Sequence, residues 1–184
     1  MAKPSVFIII LIIAAGYVLF IGKENVLMAE TKLIQLPKPL NKGNISLEEV
    51  IFRRRSQRSF KQKDLSLQQI SQLLWAGQGI TAEKGLYSLR TAPSAGALYP
   101  IEIYLLAKNG LFRYLPDGHK LESLAEQDLR SALADSSSGQ VAISQALSLG
   151  LGSVPIGAFN DEEVKKILSL PINHEPLYII PVGY

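Results

Sequence analysis

From Ser5 to Ile21 the chain runs without a charged residue, with Lys3 before it and Lys23 and Glu24 after it. A run of that length is where secretory apolar regions shade into membrane-spanning helices. No polar face interrupts it, which weighs against the alternative of a buried core helix. The expectation is that residues 1–30 form a signal peptide or membrane anchor and that the protein is exported, with Leu27-Met28-Ala29 as a candidate cleavage site. Thr31 to Asn44, carrying Pro37 and Pro39, reads as an extended linker over residues 31–44. That leaves residues 45–184 for one domain with a single core.

Composition narrows the chemistry. Apolar residues make up 47% and charged residues 19%, which suits a globular domain with a very apolar segment attached. Arg53, Arg54, Arg55 and Arg58 form a basic stretch, but a net charge of +3 is too small and too local for a nucleic-acid surface. The chain has no cysteine, which removes disulfides, thiolate nucleophiles, iron–sulfur clusters and cysteine-ligated zinc. Its two histidines, His119 and His174, sit beside turn-forming residues and are expected to be solvated loop residues, not members of a metal site or a catalytic triad. Redox chemistry, if present, then belongs to an organic cofactor.

Helix and strand signals mix without a regular βαβ rhythm, so the expected class is α+β. Ser46 with Glu49, Ser66 with Gln69, and Asn160 with Glu163 mark three helix starts, the first running towards Arg58 and the third through Leu168. Gly77 and Gly79 stop the second helix. Ile101 to Ala107 reads as a buried strand, Asn109-Gly110 turns the chain into Leu111 to Leu115, and Leu177 to Val182 reads as a last strand. Leu121 to Leu133 and Ala142 to Leu149 carry short helical patterns.

Three segments carry candidate chemistry. In Arg53-Arg54-Arg55-Ser56-Gln57-Arg58-Ser59-Phe60, guanidinium forks and a hydroxyl are the groups that bind phosphate. On a helix, Arg54 and Arg58 would share a face with room for one anion; a plain solvated basic face is the competing reading. Thr91 to Pro100 (TAPSAGALYP) is built of small, uncharged residues that let backbone approach a flat ligand, with Tyr99 offering a ring and a hydroxyl; a tight packed loop is the alternative. Leu149 to Phe159 (LGLGSVPIGAF) follows two glycines with an extended backbone able to present an N–H to a ring nitrogen.

RRSQRSF, TAPSAGALYPIEIYLL, LGLGSVPIGAF and EPLYIIPVG, in that order, resemble the nitroreductase superfamily from about Ile45 to Gly183, most closely its SagB-type (azoline) dehydrogenase-like branch. The resemblance implies an FMN-binding fold with a central, mostly antiparallel sheet, flanking helices and a homodimer. It implies electron-pair transfer between a donor such as NAD(P)H and a small-molecule acceptor, with no catalytic side chain of the usual kind. Arg54, Ser56 and Arg58 fall on positions assigned to the FMN phosphate and ribityl chain. Ser94, Ala95, Gly96, Ala97 and Leu98 fall along the isoalloxazine, Tyr99 on the substrate side, and Pro155, Ile156, Gly157 and Ala158 near flavin N5. Against the family pattern, a strand and most of a long helix are missing after Gln140, the chain stops before a basic phosphate ligand, and the Lys-Tyr pair of azoline oxidation is not recognisable. A non-catalytic membrane-anchored remnant is therefore the second functional expectation.

Overall fold

The computed structural model describes residues 7–14, 32–85, 87–136 and 149–184. Their strands and helices follow in the order β1 (Phe7–Ala14), β2 (Leu33–Gln35), α1 (Leu47–Arg53), α2 (Leu67–Gln78), β3 (Ile80–Lys84), β4 (Tyr87–Arg90), β5 (Ile101–Ala107), β6 (Gly110–Leu115), β7 (Lys120–Ala125), α3 (Arg130–Asp135), β8 (Gly152–Ser153), α4 (Asp161–Leu168) and β9 (His174–Gly183). Seven strands form one sheet in the order β2-β7-β6-β5-β1-β9-β8, and β3 pairs with β4 alone. Every described strand pairing is antiparallel, so the α+β expectation holds.

β5 shows why its sequence is apolar without alternation. Ile103, Leu105 and Ala107 enter one core with Ile70 and Leu74 of α2. Tyr104 and Leu106 enter a second core with Leu133 of α3 and Val164 and Leu168 of α4. A strand covered on both faces has no polar side to show. β9 divides in the same way, Ile180 and Val182 going to the first core and Ile179 to the second. The caps are as the sequence reads: Ser46 accepts from the Glu49 amide, Ser66 and Gln69 form a capping box, and Asn160 accepts from the Glu163 amide.

Two expectations are corrected, and two segments take places that the sequence did not suggest. Phe7–Ala14 of the apolar run lies inside the sheet, paired with β5 from Ile8↔Leu106 to Ile13↔Ile101 and with β9 from Phe7↔Val182 to Ala14↔His174. The physical reason is that β5 and β9 each offer it a full ladder of backbone partners, and an all-apolar strand suits a position in the middle of a sheet. Among the described residues no helix is long and apolar enough to cross a membrane. The 31–44 linker is docked: Leu33–Gln35 pairs with β7, Leu36 is buried, and Leu40 exchanges backbone hydrogen bonds with the Gln72 side chain. The helix read from Leu121 to Leu133 is a strand, β7, followed by the short α3, because pairing with β6 outweighs a weak helical pattern. The helix read from Ala142 to Leu149 falls almost wholly outside the described residues.

The histidines are the second correction. His174 is 5% exposed, its Nδ1 lying 3.2 Å from the Tyr104 hydroxyl. His119 ties three elements together: its Nε2 lies 2.7 Å from Ser71 Oγ on α2 and 3.1 Å from the Pro37 carbonyl, and its Nδ1 lies 2.8 Å from the Tyr114 hydroxyl on β6. The Ser71–His119 spacing is that of a nucleophile and its base, but Ser71 is fully buried and no substrate reaches it. Desolvation lowers the His119 pKa below its usual value, the Pro37 carbonyl opposing in part. The unfolded chain therefore takes up this proton first, so His119 should erode stability as pH falls below about 6.5. His119→Gln should flatten the fall in denaturation midpoint between pH 7.5 and 5; an unchanged slope would remove His119 from that role.

Candidate functional site

The strand register sets two ends of the sheet apart. β9 ends and β5 ends at the level of Phe7 and Ile8, while β5 begins at the level of Ile13. Six residues separate these levels, about 20 Å at roughly 3.3 Å per residue. The basic segment lies at the first end and the small-residue loop at the second.

At the first end the chain leaves α1 at Arg54, whose ψ of 123° takes it out of the helix. Residues 54–60 are therefore extended, and Arg54 and Arg58 do not share a helical face as the sequence suggested. The Gln57 amide donates to the Ser153 carbonyl of β8, and the Lys61 amide to the carbonyl of Tyr184. Gly152 makes this seam possible, since a Cβ there would collide with the Gln57 side chain. A cavity of about 340 Å³ opens beside the seam, lined by Arg53, Arg54, Arg55, Gln57, Gly150, Leu151, Gly152, Ser153 and Tyr184.

The charges of that cavity are unequal in availability. Arg53 is paired with Glu49 at 2.6 Å, and Arg55 donates to the carbonyls of Phe52 and Arg54. Arg54 and Arg58 have no ion pair among the described residues; Arg54 lines the cavity and exposed Arg58 does not. A cavity with three guanidiniums and no acid on its wall suits an anion. Sequence reasoning chose Arg54 and passed over Arg55, Gln57 and Gly150 to Ser153. Gly150 and Gly152 were visible in the LGLGS stretch as glycines before an extended backbone.

At the other end, Ser94 Oγ accepts from the Tyr99 amide and the Tyr99 hydroxyl accepts from the Arg90 amide. Gly96, Ala97 and Tyr99 hold φ values of 64°, 54° and 44°. Left-handed backbone at two non-glycine residues is strain of about 1–2 kcal/mol each, of the kind held at ligand-contacting loops. The loop is exposed at Ala95, Gly96 and Leu98, Leu98 at 81%, and half-buried at Ser94, Ala97 and Tyr99. Pro155 to Ala158 lies between the two ends, with Ile156 bridged to Ile179 and Gly157 against the Tyr178 ring. The structure thus brings Arg54 to the β8 turn, while Ser94 to Leu98 of the same chain stands at the far end of β5.

An α+β domain with a basic cavity at one end of an antiparallel sheet and a strained, exposed small-residue loop at the other defines the class of fold. The nitroreductase family model matches residues 51–141 and 137–184, and the chain belongs to that family. A protein of Methanocaldococcus jannaschii named as a nitroreductase is 31% identical over 202 residues, covering 85% of this chain and 98% of its own. The crystal structure of a Ralstonia eutropha protein named as a nitroreductase superposes with a TM-score of 0.68 at 26% identity, over 93% of this chain and 96% of that one. The Escherichia coli microcin synthetase complex McbBCD contains a chain sharing the fold, with a TM-score of 0.54 at 21% identity over 88% of this chain and 78% of that one. Family membership makes the protein an oxidoreductase by class.

Proposed function

We propose that this chain is an FMN-dependent oxidoreductase of the SagB-type branch, exchanging electron pairs between a reduced nicotinamide and a small-molecule acceptor. The observation that carries the reading is the acid-free cavity of Arg53, Arg54 and Arg55 against the Gly150–Ser153 turn, which fits a phosphate. FMN, when bound, supplies a ring that takes up and returns electron pairs, so the chain has to bind, orient and shield it. Arg54 holds the phosphate with Ser56 nearby, and Pro155 to Ala158 offers backbone to the ring.

The loop from Ser94 to Leu98 meets the flavin of a second copy in this proposal. Its place some 20 Å along the strands from the phosphate cavity of its own chain supports that, as do the exposed apolar residues Leu98 on the loop and Leu47, Ile51 and Phe52 on α1. In this proposal a family segment is absent after Gln140, supported by an alignment of 202 positions that takes up only 85% of this chain's 184 residues. That shortfall favours a second reading, a remnant that binds flavin poorly.

The two readings separate on flavin binding. The purified protein should retain FMN, and Arg54→Ala should weaken FMN by about 1.5–3 kcal/mol, the scale of a lost charge-assisted hydrogen bond. Riboflavin, without the phosphate, should bind both proteins alike. Equal losses for the two ligands would remove Arg54 from the phosphate, and no flavin binding by the wild type would leave the remnant.

A further inference from the structure

A second cavity lies at the far end of β5. It holds about 210 Å³ between Gln78 at the end of α2, Arg90 of β4, Tyr99, the start of β5, and Arg113 to Pro116 at the end of β6. Two guanidiniums and one carboxylate, Glu102, are on its wall. They are not equivalent. Arg113 is spoken for: Glu122 holds it at 2.6 and 2.7 Å, and Glu102 lies 3.7 Å away.

Arg90 is differently placed. Its guanidinium lies 4.5 Å over the Tyr99 ring, and its Nη1 donates to the neutral Gln78 amide oxygen at 3.3 Å. No carboxylate pairs with it among the described residues, and its buried Nε has no hydrogen-bond partner. A ring face and one amide do not neutralise a guanidinium, and an unmet buried donor on a charged group is expensive. The arrangement fixes the fork from below and from one side and leaves its charge unanswered. What answers it best is an oxyanion with two coplanar oxygens.

We propose that Arg90, braced by Tyr99 and Gln78, forms a binding site for a small oxyanion, either a carboxylate or an inorganic phosphate. The volume lies under the ~300–1,000 Å³ of sites for drug-sized ligands, so the site takes a small ion or the anionic head of a larger molecule, and not a whole cofactor. It stands at the opposite end of β5 from the Arg54 cavity and needs no flavin, so it can fail or hold independently of the FMN reading.

The test uses the full-length protein labelled with nitrogen-15, titrated with sodium acetate and separately with inorganic phosphate against chloride at constant ionic strength. The Arg90 Nε–H resonance, identified by its absence from Arg90→Lys, should shift saturably with one or both anions, and the responding anion names the source. Arg113 Nε–H, tied to Glu122, should move little. Measured by calorimetry in an Arg54→Ala background, which disables the other cavity suited to phosphate, affinity for the responding anion should fall at least tenfold on adding Arg90→Gln or Arg90→Lys, the lysine keeping the charge but losing the fork. Linear, chloride-like drift of the resonance would overturn the site. So would undiminished affinity in either Arg90 variant, the lysine serving should the glutamine variant fail to fold.

Discussion

A chain beginning at Thr31 is expected to lose cooperative unfolding altogether. Without β1, β5 and β9 face each other across an empty strand position, since β1 is the neighbour of both in the sheet order. Their facing N–H and C=O groups lose partners at a roughly 1–3 kcal/mol cost for each that stays buried, and Ile9, 8% exposed, leaves the first core. Several such losses exceed the ~5–15 kcal/mol that holds a domain together. The measurement is near-ultraviolet circular dichroism with thermal melting. The chain has no native cysteine, so a paired probe is also clean. Ile10→Cys with Ile179→Cys, which face each other across β1 and β9, should form an intramolecular disulfide, while Ile10→Cys with Val154→Cys should not. A truncated chain that melts like the full one, or no disulfide, would return Ser5–Ile21 to the export role that its composition suggests.

The second large effect is expected at Leu98. A side chain 81% exposed on a strained loop contributes little to its own fold, so Leu98→Asp should shift apo stability within about 0.5 kcal/mol. If the loop covers a second copy's flavin, the same change removes about 1.5–3 kcal/mol of apolar burial and puts a carboxylate where water is excluded. FMN affinity and dimer association, measured by fluorescence titration and by sedimentation, should each weaken at least 100-fold. Unchanged flavin binding with an unchanged sedimentation profile would remove the loop from both surfaces. Leu98 is a cleaner probe than Gly96, whose φ of 64° makes a β-branched residue strain the backbone even where space is open.

What could be read from the sequence follows a physical division. Local signals were legible: the three caps at Ser46, Ser66 and Asn160, the turn at Asn109-Gly110, and the two-sided burial of Ile101 to Ala107 are decided within a few residues. Pairings between distant segments were not. Phe7–Ala14 has the composition of a leader, and nothing near it says that residues 101–107 and 174–183 receive it. The same holds for the site. Arginines in a row pointed to an anion, but which of them lines the cavity depends on α1 stopping at Arg53 and on Gln57 docking to Ser153. His119 looked like a turn residue because its partners, Ser71 and Pro37, lie 48 and 82 positions away. Arg90 carried no signal beyond standing next to the small-residue loop, since its significance depends on a ring and an amide brought to it by folding.

Pairing the first described strand with the last also sets a schedule for how the molecule is made. Phe7 leaves the ribosome well before Val182, its partner, and waits until the whole stretch between them has been made. At about 5–20 residues per second that interval is several to some tens of seconds, far longer than local helices and hairpins need. The hairpins of β5, β6 and β7 can form during that time, but the sheet cannot close. Ladders of such sequence separation also fold slowly once the chain is whole, because the loop is closed before any contact repays it. An apolar strand left unpaired for so long is open to capture by chaperones, by a targeting factor or by another nascent chain, so the yield of native protein should depend on how quickly translation reaches Gly183.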